Sequence, residues 1–125
     1  LLQKMGECVQ PWNVSALAQA AGVAALKETD WILRAKALLP GARAYLTDGL
    51  TALGFTVFPS EANYLLFTAP AGLDSALLRE KIAIRSCDNY TGLGAGWYRI
   101  AVRLQEENEA LLMAMRRVME DTTWR

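Results

Sequence analysis

The stretch that decides the fold is Arg85-Ser86-Cys87-Asp88-Asn89-Tyr90-Thr91-Gly92-Leu93-Gly94-Ala95-Gly96-Trp97-Tyr98-Arg99-Ile100-Ala101-Val102. Two short apolar runs, residues 82–84 and 100–102, lie on either side of its glycine-rich connection, which predicts two strands joined by a loop. Side chains alternate between the two faces of a strand. The second strand therefore has one apolar face, formed by Tyr98, Ile100 and Val102, and one face that bears Trp97, Arg99, Ala101 and Arg103.

Arg99 is a candidate binding residue. It lies in the middle of a predicted strand, between Tyr98 and Ile100, where a charge is unfavourable unless it has a partner. A guanidinium presents a planar set of N–H donors that matches a carboxylate or a phosphate. The partner is therefore either an anionic ligand or an acidic neighbour in a structural ion pair.

Arg85 and Arg103 are the other arginines of the predicted sheet. Arg85 borders the first apolar run, where it is either a second anion-binding residue or a solvated strand end. Arg103 lies at the end of its strand, and we expect a surface role for it. Gly92, Gly94 and Gly96 are followed by a strand and not by a helix, so we expect a flexible hairpin connection and no nucleotide-binding loop.

The bulk composition fits one compact domain. The chain has 125 residues, of which 53% are hydrophobic, and we expect a single domain over 1–125. Thirteen basic and thirteen acidic residues balance, so no net field favours nucleic acid or an anionic membrane. Histidine is absent, which excludes imidazole chemistry and histidine-ligated metal from these residues. Cys8 and Cys87 lack a metal or redox spacing, and we expect free thiols in a reducing compartment rather than a disulfide.

Helical patterns fill the first half of the chain. Predicted helices cover residues 1–6, a segment from a cap at Asn13 or Ser15 to about Leu26, and a segment from a cap at Thr29 or Asp30 to Leu53, with a kink or break at Pro40 and Gly41.

Strands and shorter helices fill the second half. Strands are predicted over 55–58 and 63–68. A short helix follows, from Asp74 or Ser75 to about Lys81. The two arginine-bearing strands come next, and a final amphipathic helix begins at Gln105. The predicted fold is mixed α/β (α+β): a helical N-terminal half, then a small, mainly antiparallel sheet with helices packed on one face.

Five stretches together resemble one enzyme family. They are Gln10-Pro11-Trp12-Asn13-Val14-Ser15-Ala16-Leu17-Ala18-Gln19-Ala20-Ala21, Glu61-Ala62-Asn63-Tyr64-Leu65-Leu66-Phe67, Ile84-Arg85-Ser86-Cys87-Asp88-Asn89-Tyr90-Thr91-Gly92-Leu93, Tyr98-Arg99-Ile100-Ala101-Val102-Arg103 and Glu106-Glu107-Asn108. The chain resembles the fold-type-I pyridoxal-phosphate enzymes, and more narrowly the group of histidinol-phosphate aminotransferase and L-threonine-O-3-phosphate decarboxylase. The third stretch and the Ala-Val-Arg ending of the fourth are more similar to the decarboxylase.

The resemblance implies the C-terminal small domain of a longer class I/II aminotransferase-like enzyme. In such a parent a lysine of the large domain, upstream of Leu1, binds pyridoxal 5'-phosphate, so we expect no catalytic or cofactor-binding residue and no activity in this chain alone. Arg99 matches the family arginine that binds the substrate α-carboxylate, and Arg85 matches an arginine near the distal phosphate. The resemblance also implies a cytoplasmic homodimer and a phosphorylated amino-acid substrate.

Three functions remain as alternatives. The preferred one is a threonine-phosphate decarboxylase-like lyase, which the resemblance connects with cobalamin biosynthesis. The second is a histidinol-phosphate or other class I/II aminotransferase. The third, from another class, is a non-catalytic module that binds an anion or dimerises. None of the three involves nucleic acid, a membrane or a metal.

Overall fold

The chain divides into two compact units, Leu1–Lys36 and Ala37–Arg125. The computed structural model describes residues 2–8 and 14–121. Asn13, one of the two candidate caps of the second predicted helix, lies outside the described residues. The expectation of a single domain over 1–125 stays a prediction.

The first unit is helical, with α1 (Leu2–Gly6), α2 (Ala16–Lys27) and the beginning of α3 (Thr29–Ala52). Ser15 is the N-cap of α2, because its Oγ accepts a hydrogen bond from the backbone N–H of Ala18 at 3.2 Å. No residue of α2 is buried. Leu17 and Leu26 are 83% and 80% exposed, so this helix presents apolar side chains that no described residue covers.

α3 runs through Pro40 without interruption, so of the two predicted alternatives the break is wrong and the kink stays a prediction. Proline has no N–H to donate to the preceding turn, and a proline inside a helix costs about 3 kcal/mol. Leu46 and Leu50, which follow Pro40 in the same helix, are fully buried. Each buried leucine contributes about 1.5–3 kcal/mol, so the packing of these two side chains is large enough to offset the proline.

The second unit contains a four-stranded sheet in the order β1-β2-β4-β3, and every neighbouring pair is antiparallel. The strands are β1 (Thr56–Val57), β2 (Tyr64–Thr68), β3 (Arg85–Ser86) and β4 (Trp97–Ala101). The two central strands, β2 and β4, pair over five residues each. The two-residue strands at the edges limit the backbone that is open to further pairing.

One face of the sheet is buried under helices. Leu65 pairs with Ile100, and Phe67 pairs with Tyr98, and all four side chains are buried. They form one core with residues of α3, α4 (Leu73–Arg79) and α5 (Gln105–Glu120), namely Leu46, Leu50, Leu73, Leu77, Leu112 and Met115. The mixed α/β fold with helices on one face of a small antiparallel sheet is therefore confirmed. In the described ranges, no helix is both long and apolar enough to cross a bilayer.

The boundaries of α4 and β3 differ from the prediction. Gly72 is the N-cap of α4 with a φ of 90°, so the predicted caps Asp74 and Ser75 lie inside the helix. The strand predicted over 82–84 is also wrong. The chain is still leaving α4 there, because Lys81 adopts a left-handed φ of 62° and the N–H of Ile82 donates to the carbonyl of Leu77 at 3.0 Å. Pairing with β4 therefore begins only at the following residues, in β3.

Tyr98 joins the sheet to the start of α4. Its hydroxyl donates to the carbonyl of Pro70 and accepts from the N–H of Leu73, both at 3.2 Å. Burial raises the pKa of Tyr98, and the nearby Asp74 carboxylate raises this pKa further. The hydroxyl is therefore neutral and serves as a structural hydrogen-bonding group.

Gly96 permits a close approach between the start of β4 and the segment after β2. Its φ is 88°, and a Cβ at this position would lie 2.7 Å from the carbonyl oxygen of Ala69. Its own carbonyl accepts a hydrogen bond from the N–H of Ala69 at 2.9 Å. Glycine is the residue that meets both requirements, because it lacks the Cβ that collides in each.

We predict that Gly96→Ala lowers the free energy of unfolding by about 1–3 kcal/mol, since alanine is strained in the left-handed region and its Cβ collides with backbone. Gly94→Ala is the matched control, because an added Cβ at Gly94 meets no atom within 4 Å and its φ is not left-handed. Urea denaturation of both variants measures the difference. Equal loss of stability in the two variants would contradict this account of Gly96.

Candidate functional site

Arg99 lies on the open face of the sheet, opposite to the buried core. The alternation along β4 buries Tyr98 and Ile100 and leaves Arg99 half-buried between them. In the register of the sheet, Arg99 is opposite Leu66 of β2 on one side and Arg85 of β3 on the other. The pleat of β4 therefore fixes where this guanidinium begins and which face it leaves from.

The register places two like charges side by side. Arg85 and Arg99 are direct cross-strand partners, and such partners have Cβ atoms about 4.5–5.5 Å apart on one face. Like charges in this position destabilise a sheet. Within the described ranges, the ion pairs are Arg43–Glu61, Arg103–Glu107 and Arg117–Glu80, and none of them includes Arg85 or Arg99. The structural ion pair considered for Arg99 is therefore not found among the described residues.

Aromatic and amide groups contact the two guanidiniums instead. The Cζ of Arg99 lies over the ring of Tyr64, 5.0 Å from its centroid. The Cζ of Arg85 lies over the ring of Tyr90 at 5.8 Å, and its Nη2 donates to the Oδ1 of Asn89 at 3.1 Å. These contacts hold the side chains without neutralising them, so the positive charge of both remains available to an anion.

A groove of about 810 Å³ opens beside the two arginines. It is bordered by β4, by the segment between α4 and β3, and by the first turns of α5. The charged side chains that line it are four basic residues and one acidic residue, namely Lys81, Arg85, Arg99, Arg103 and Glu107. The lining therefore favours an anionic ligand.

Arg103 also lines the groove, but unlike Arg85 and Arg99 it has a carboxylate partner among the described residues. Its Nη2 lies 2.6 Å from an oxygen of Glu107, one helical turn into α5, and its side chain is exposed. This hydrogen bond lowers the pKa of Glu107 and raises that of Arg103. Since a carboxylate of the chain already binds Arg103, the surface role expected for it agrees with the structure.

Asn108 supports the wall of the groove, a role that sequence reasoning missed. Asn108 lies on the apolar stripe of α5 with Leu112 and Met115, and it is buried. Its Nδ2 donates to the carbonyl of Arg103 at 2.8 Å, and its Oδ1 accepts from the N–H of the same residue at 3.1 Å. The signal in the sequence was an amide within an apolar stripe, because a buried amide requires hydrogen-bond partners.

The remaining chemical groups do not form a second site. Cys8 is exposed and Cys87 is buried, and both are free thiols. The Sγ of Cys87 lies 3.9 Å from the carbonyl oxygen of Arg85, which is a structural contact within the strand region. Among residues 2–8 and 14–121, no group of histidine, cysteine, aspartate or glutamate side chains is arranged to hold a metal ion.

The described residues do not fit pyridoxal phosphate itself. This cofactor requires a lysine for its Schiff base and, for its protonated ring nitrogen, a carboxylate partner. Lys4, Lys27, Lys36 and Lys81 are all exposed, and of these only Lys81 lines the groove. The acidic residue that lines the groove, Glu107, is already bound to Arg103. The chemistry available to the described residues is therefore the binding and orientation of an anion.

Comparisons with known proteins give one consistent family. The family model described as aminotransferase class I and II matches residues 1–115. Threonine-phosphate decarboxylase of Salmonella typhimurium is 40% identical over 124 residues, which cover 94% of this chain and 34% of the relative. Histidinol-phosphate aminotransferase 2 of Ralstonia nicotianae is 40% identical over 112 residues, which cover 85% of this chain and 29% of the relative.

A solved structure has the same fold. The crystal structure of the histidinol-phosphate aminotransferase from Clostridium acetobutylicum superimposes with a TM-score of 0.87 at 30% sequence identity. The match covers 94% of this chain and 37% of that structure. The chain thus spans about a third of the length of the relatives it matches.

We predict that Asn108→Ala lowers the free energy of unfolding by about 1–3 kcal/mol, because the N–H and carbonyl of Arg103 lose their partner. Gln105→Ala is the control, since Gln105 is exposed at the start of α5 and its amide donates to the Glu109 side chain one turn away. We expect this control to change stability by less than about 0.5 kcal/mol. Urea denaturation decides, and an Asn108→Ala variant as stable as the control would contradict the proposed support of the groove.

Proposed function

Because this chain belongs to the aminotransferase class I and II family, we propose that it supplies the substrate-anion site of a pyridoxal-phosphate-dependent enzyme. The observation that supports the proposal is the cross-strand pair of Arg85 and Arg99, which lacks a carboxylate partner among the described residues. A ligand with negative groups would relieve the repulsion between them and fill the basic side of the groove.

Each of the two arginines binds one anionic group of the substrate. Arg99 is half-buried on a central strand and binds the α-carboxylate, for which a rigid, preorganised pair of N–H donors is an advantage. Arg85 is exposed on the edge strand and binds the distal phosphate, whose larger charge compensates for stronger competition from water. A substrate held at both ends has a fixed orientation, and orientation decides which bond to the α-carbon is broken.

A threonine-phosphate decarboxylase-like reaction is the preferred activity of the whole protein. The Salmonella typhimurium decarboxylase aligns with more of this chain than the Ralstonia nicotianae aminotransferase does, at equal identity. Histidinol-phosphate or related amino transfer is the second candidate, supported by the same family and by the Clostridium acetobutylicum structure. Arg99 suits either reaction, since one arginine binds a carboxylate in both a decarboxylase and a transaminase.

The other parts of the proposal concern polypeptide beyond these 125 residues. We propose that a large domain holds the cofactor and that the chain alone is inactive. We further propose that the enzyme is a cytoplasmic homodimer. If it is the decarboxylase, we propose that it acts in cobalamin biosynthesis. The relatives' greater length and the uncovered apolar side chains of α2 support the existence of a covering domain. A non-catalytic module that binds anions or dimerises is the outcome expected if the gene encodes no such domain.

The product formed by the full-length protein separates the candidate activities. Loaded with pyridoxal phosphate, the protein is given O-phospho-L-threonine in one assay, and L-histidinol phosphate with 2-oxoglutarate in another. We expect carbon dioxide from the first and no glutamate from the second. Glutamate formation without carbon dioxide would establish the aminotransferase instead, and the absence of both products would favour the non-catalytic module.

We predict that Arg99→Ala and Arg85→Ala each lower kcat/KM for O-phospho-L-threonine by about tenfold to a hundredfold. This range corresponds to the loss of a hydrogen bond to a charged group, about 1.5–3 kcal/mol. Arg103→Ala is the matched control in the same groove, because its charge is already bound by Glu107, and we expect an effect of less than about twofold. Steady-state kinetics of the three full-length variants measure this. If Arg103→Ala is as damaging as the other two, the assignment of the site is wrong.

A further inference from the structure

We propose that Tyr64 and Tyr90 are positioning residues of the anion site, each of which holds one guanidinium in place without supplying a counter-charge. The inference rests on the proposed function of Arg99 and Arg85 and adds two residues to it. Neither tyrosine was a predicted site residue, and neither belongs to the buried core.

The contacts pair each arginine with its own ring. Tyr64 is opposite Ala101 in the β2–β4 register, two residue pairs away from the Leu66–Arg99 pair and on the same face. Arg99 reaches this diagonal neighbour, and its Cζ lies 5.0 Å from the ring centroid. Tyr90 follows the edge strand β3, and the Cζ of Arg85 lies 5.8 Å from the centroid of its ring.

Energetics explain why an aromatic partner suits this place. A guanidinium over an exposed aromatic ring gains about 0.5–1 kcal/mol. Like charges at a cross-strand pair act in the unfavourable direction. The two effects are of similar size, so the rings offset the repulsion between Arg85 and Arg99. A carboxylate would do the same, but it would also occupy the donors that the ligand needs.

Tyr64 is exposed yet held firmly at its backbone. The Oγ of Ser60 donates to the carbonyl of Tyr64 at 2.7 Å and accepts from the N–H of Ala62 at 3.1 Å. The Nη1 of Arg43, on α3, donates to the carbonyl of Ala62 at 2.9 Å. These bonds fix the turn that leads into β2, while 42% of Tyr64 remains exposed toward the groove side. The backbone of Tyr64 is therefore fixed, and its ring is available for the contact with the Arg99 guanidinium.

The two pairs are not equivalent. Arg85 has a second partner, the Oδ1 of Asn89, whereas the contact with Tyr64 is the one that the described residues show for the Arg99 guanidinium. The loss of Tyr64 should therefore weaken ligand binding more than the loss of Tyr90. Removal of both Tyr90 and Asn89 should bring the effect at Arg85 to the level seen at Arg99.

The test measures the dissociation constant of O-phospho-L-threonine by calorimetry on the full-length protein. We expect Tyr64→Leu to weaken binding about two- to fivefold, because the ligand must then order a guanidinium that the ring no longer holds in place. Tyr64→Phe keeps the ring and should bind like the parent protein. Tyr45→Leu removes another exposed tyrosine, on α3, that contacts neither arginine in the described part of the chain, and it should leave binding unchanged.

A double-mutant cycle distinguishes this inference from the proposed function. If Tyr64 acts through Arg99, Tyr64→Leu should have no further effect in the Arg99→Ala protein. A loss of equal size in both backgrounds, or unchanged binding by Tyr64→Leu while Arg99→Ala is impaired, would overturn the positioning role and leave the proposed function intact. Unchanged binding by Arg99→Ala itself would overturn both.

Discussion

The antiparallel pairing of β3 with β4 places two guanidinium groups opposite each other on an open sheet face, and the account of this protein depends on that pairing. Folding tolerates such repulsion only where something offsets it. Elsewhere in the described ranges the chain pairs three arginines with carboxylates, namely Arg43, Arg103 and Arg117. At Arg85 and Arg99 it uses aromatic rings and an amide, which leave the positive charge in place. A site of this kind is suited to an external anion.

Strand β4 contributes side chains to the buried core on one face and the Arg99 guanidinium on the other. On its buried face, β4 contributes Tyr98 and Ile100 to a core that includes three helices. Gly96 sets the approach of the strand at one end, and Asn108 binds the backbone of Arg103 at the other. Arg99 therefore projects from a segment fixed at both ends, which limits the freedom that the guanidinium would lose when a ligand binds.

The sequence was a good guide to the fold wherever alternation or helical spacing was long enough to read. It placed Tyr98 and Ile100 on the buried face, Arg99 on the other, and the helices on one side of an antiparallel sheet. It did not decide whether the helix breaks at Pro40, where the packing of later leucines outweighs a local helix breaker. It failed at residues 82–84, because a left-handed residue after α4 delays the strand, and such a conformation has no clear signal in an Ile-Ala-Ile run.

The site itself was only partly predictable from the sequence. Arg99 could be found because a charge in the middle of a strand requires a reason. The direct pairing with Arg85 depends on strand register, and the contact with Tyr64 depends on a diagonal relation between β2 and β4. Neither can be read from one strand alone. The family resemblance identified the two arginines as candidates. The geometry shows that strand register places them opposite each other and that aromatic rings contact their guanidiniums.

A crystal structure of the full-length protein with O-phospho-L-threonine tests the central claim most directly. The account predicts that the carboxylate lies within hydrogen-bonding distance of the Arg99 guanidinium and the phosphate within that distance of Arg85, with both arginines still over their tyrosine rings. A ligand bound with both anionic groups away from these two arginines would contradict it. A carboxylate from another part of the protein already paired with Arg99 would contradict it equally.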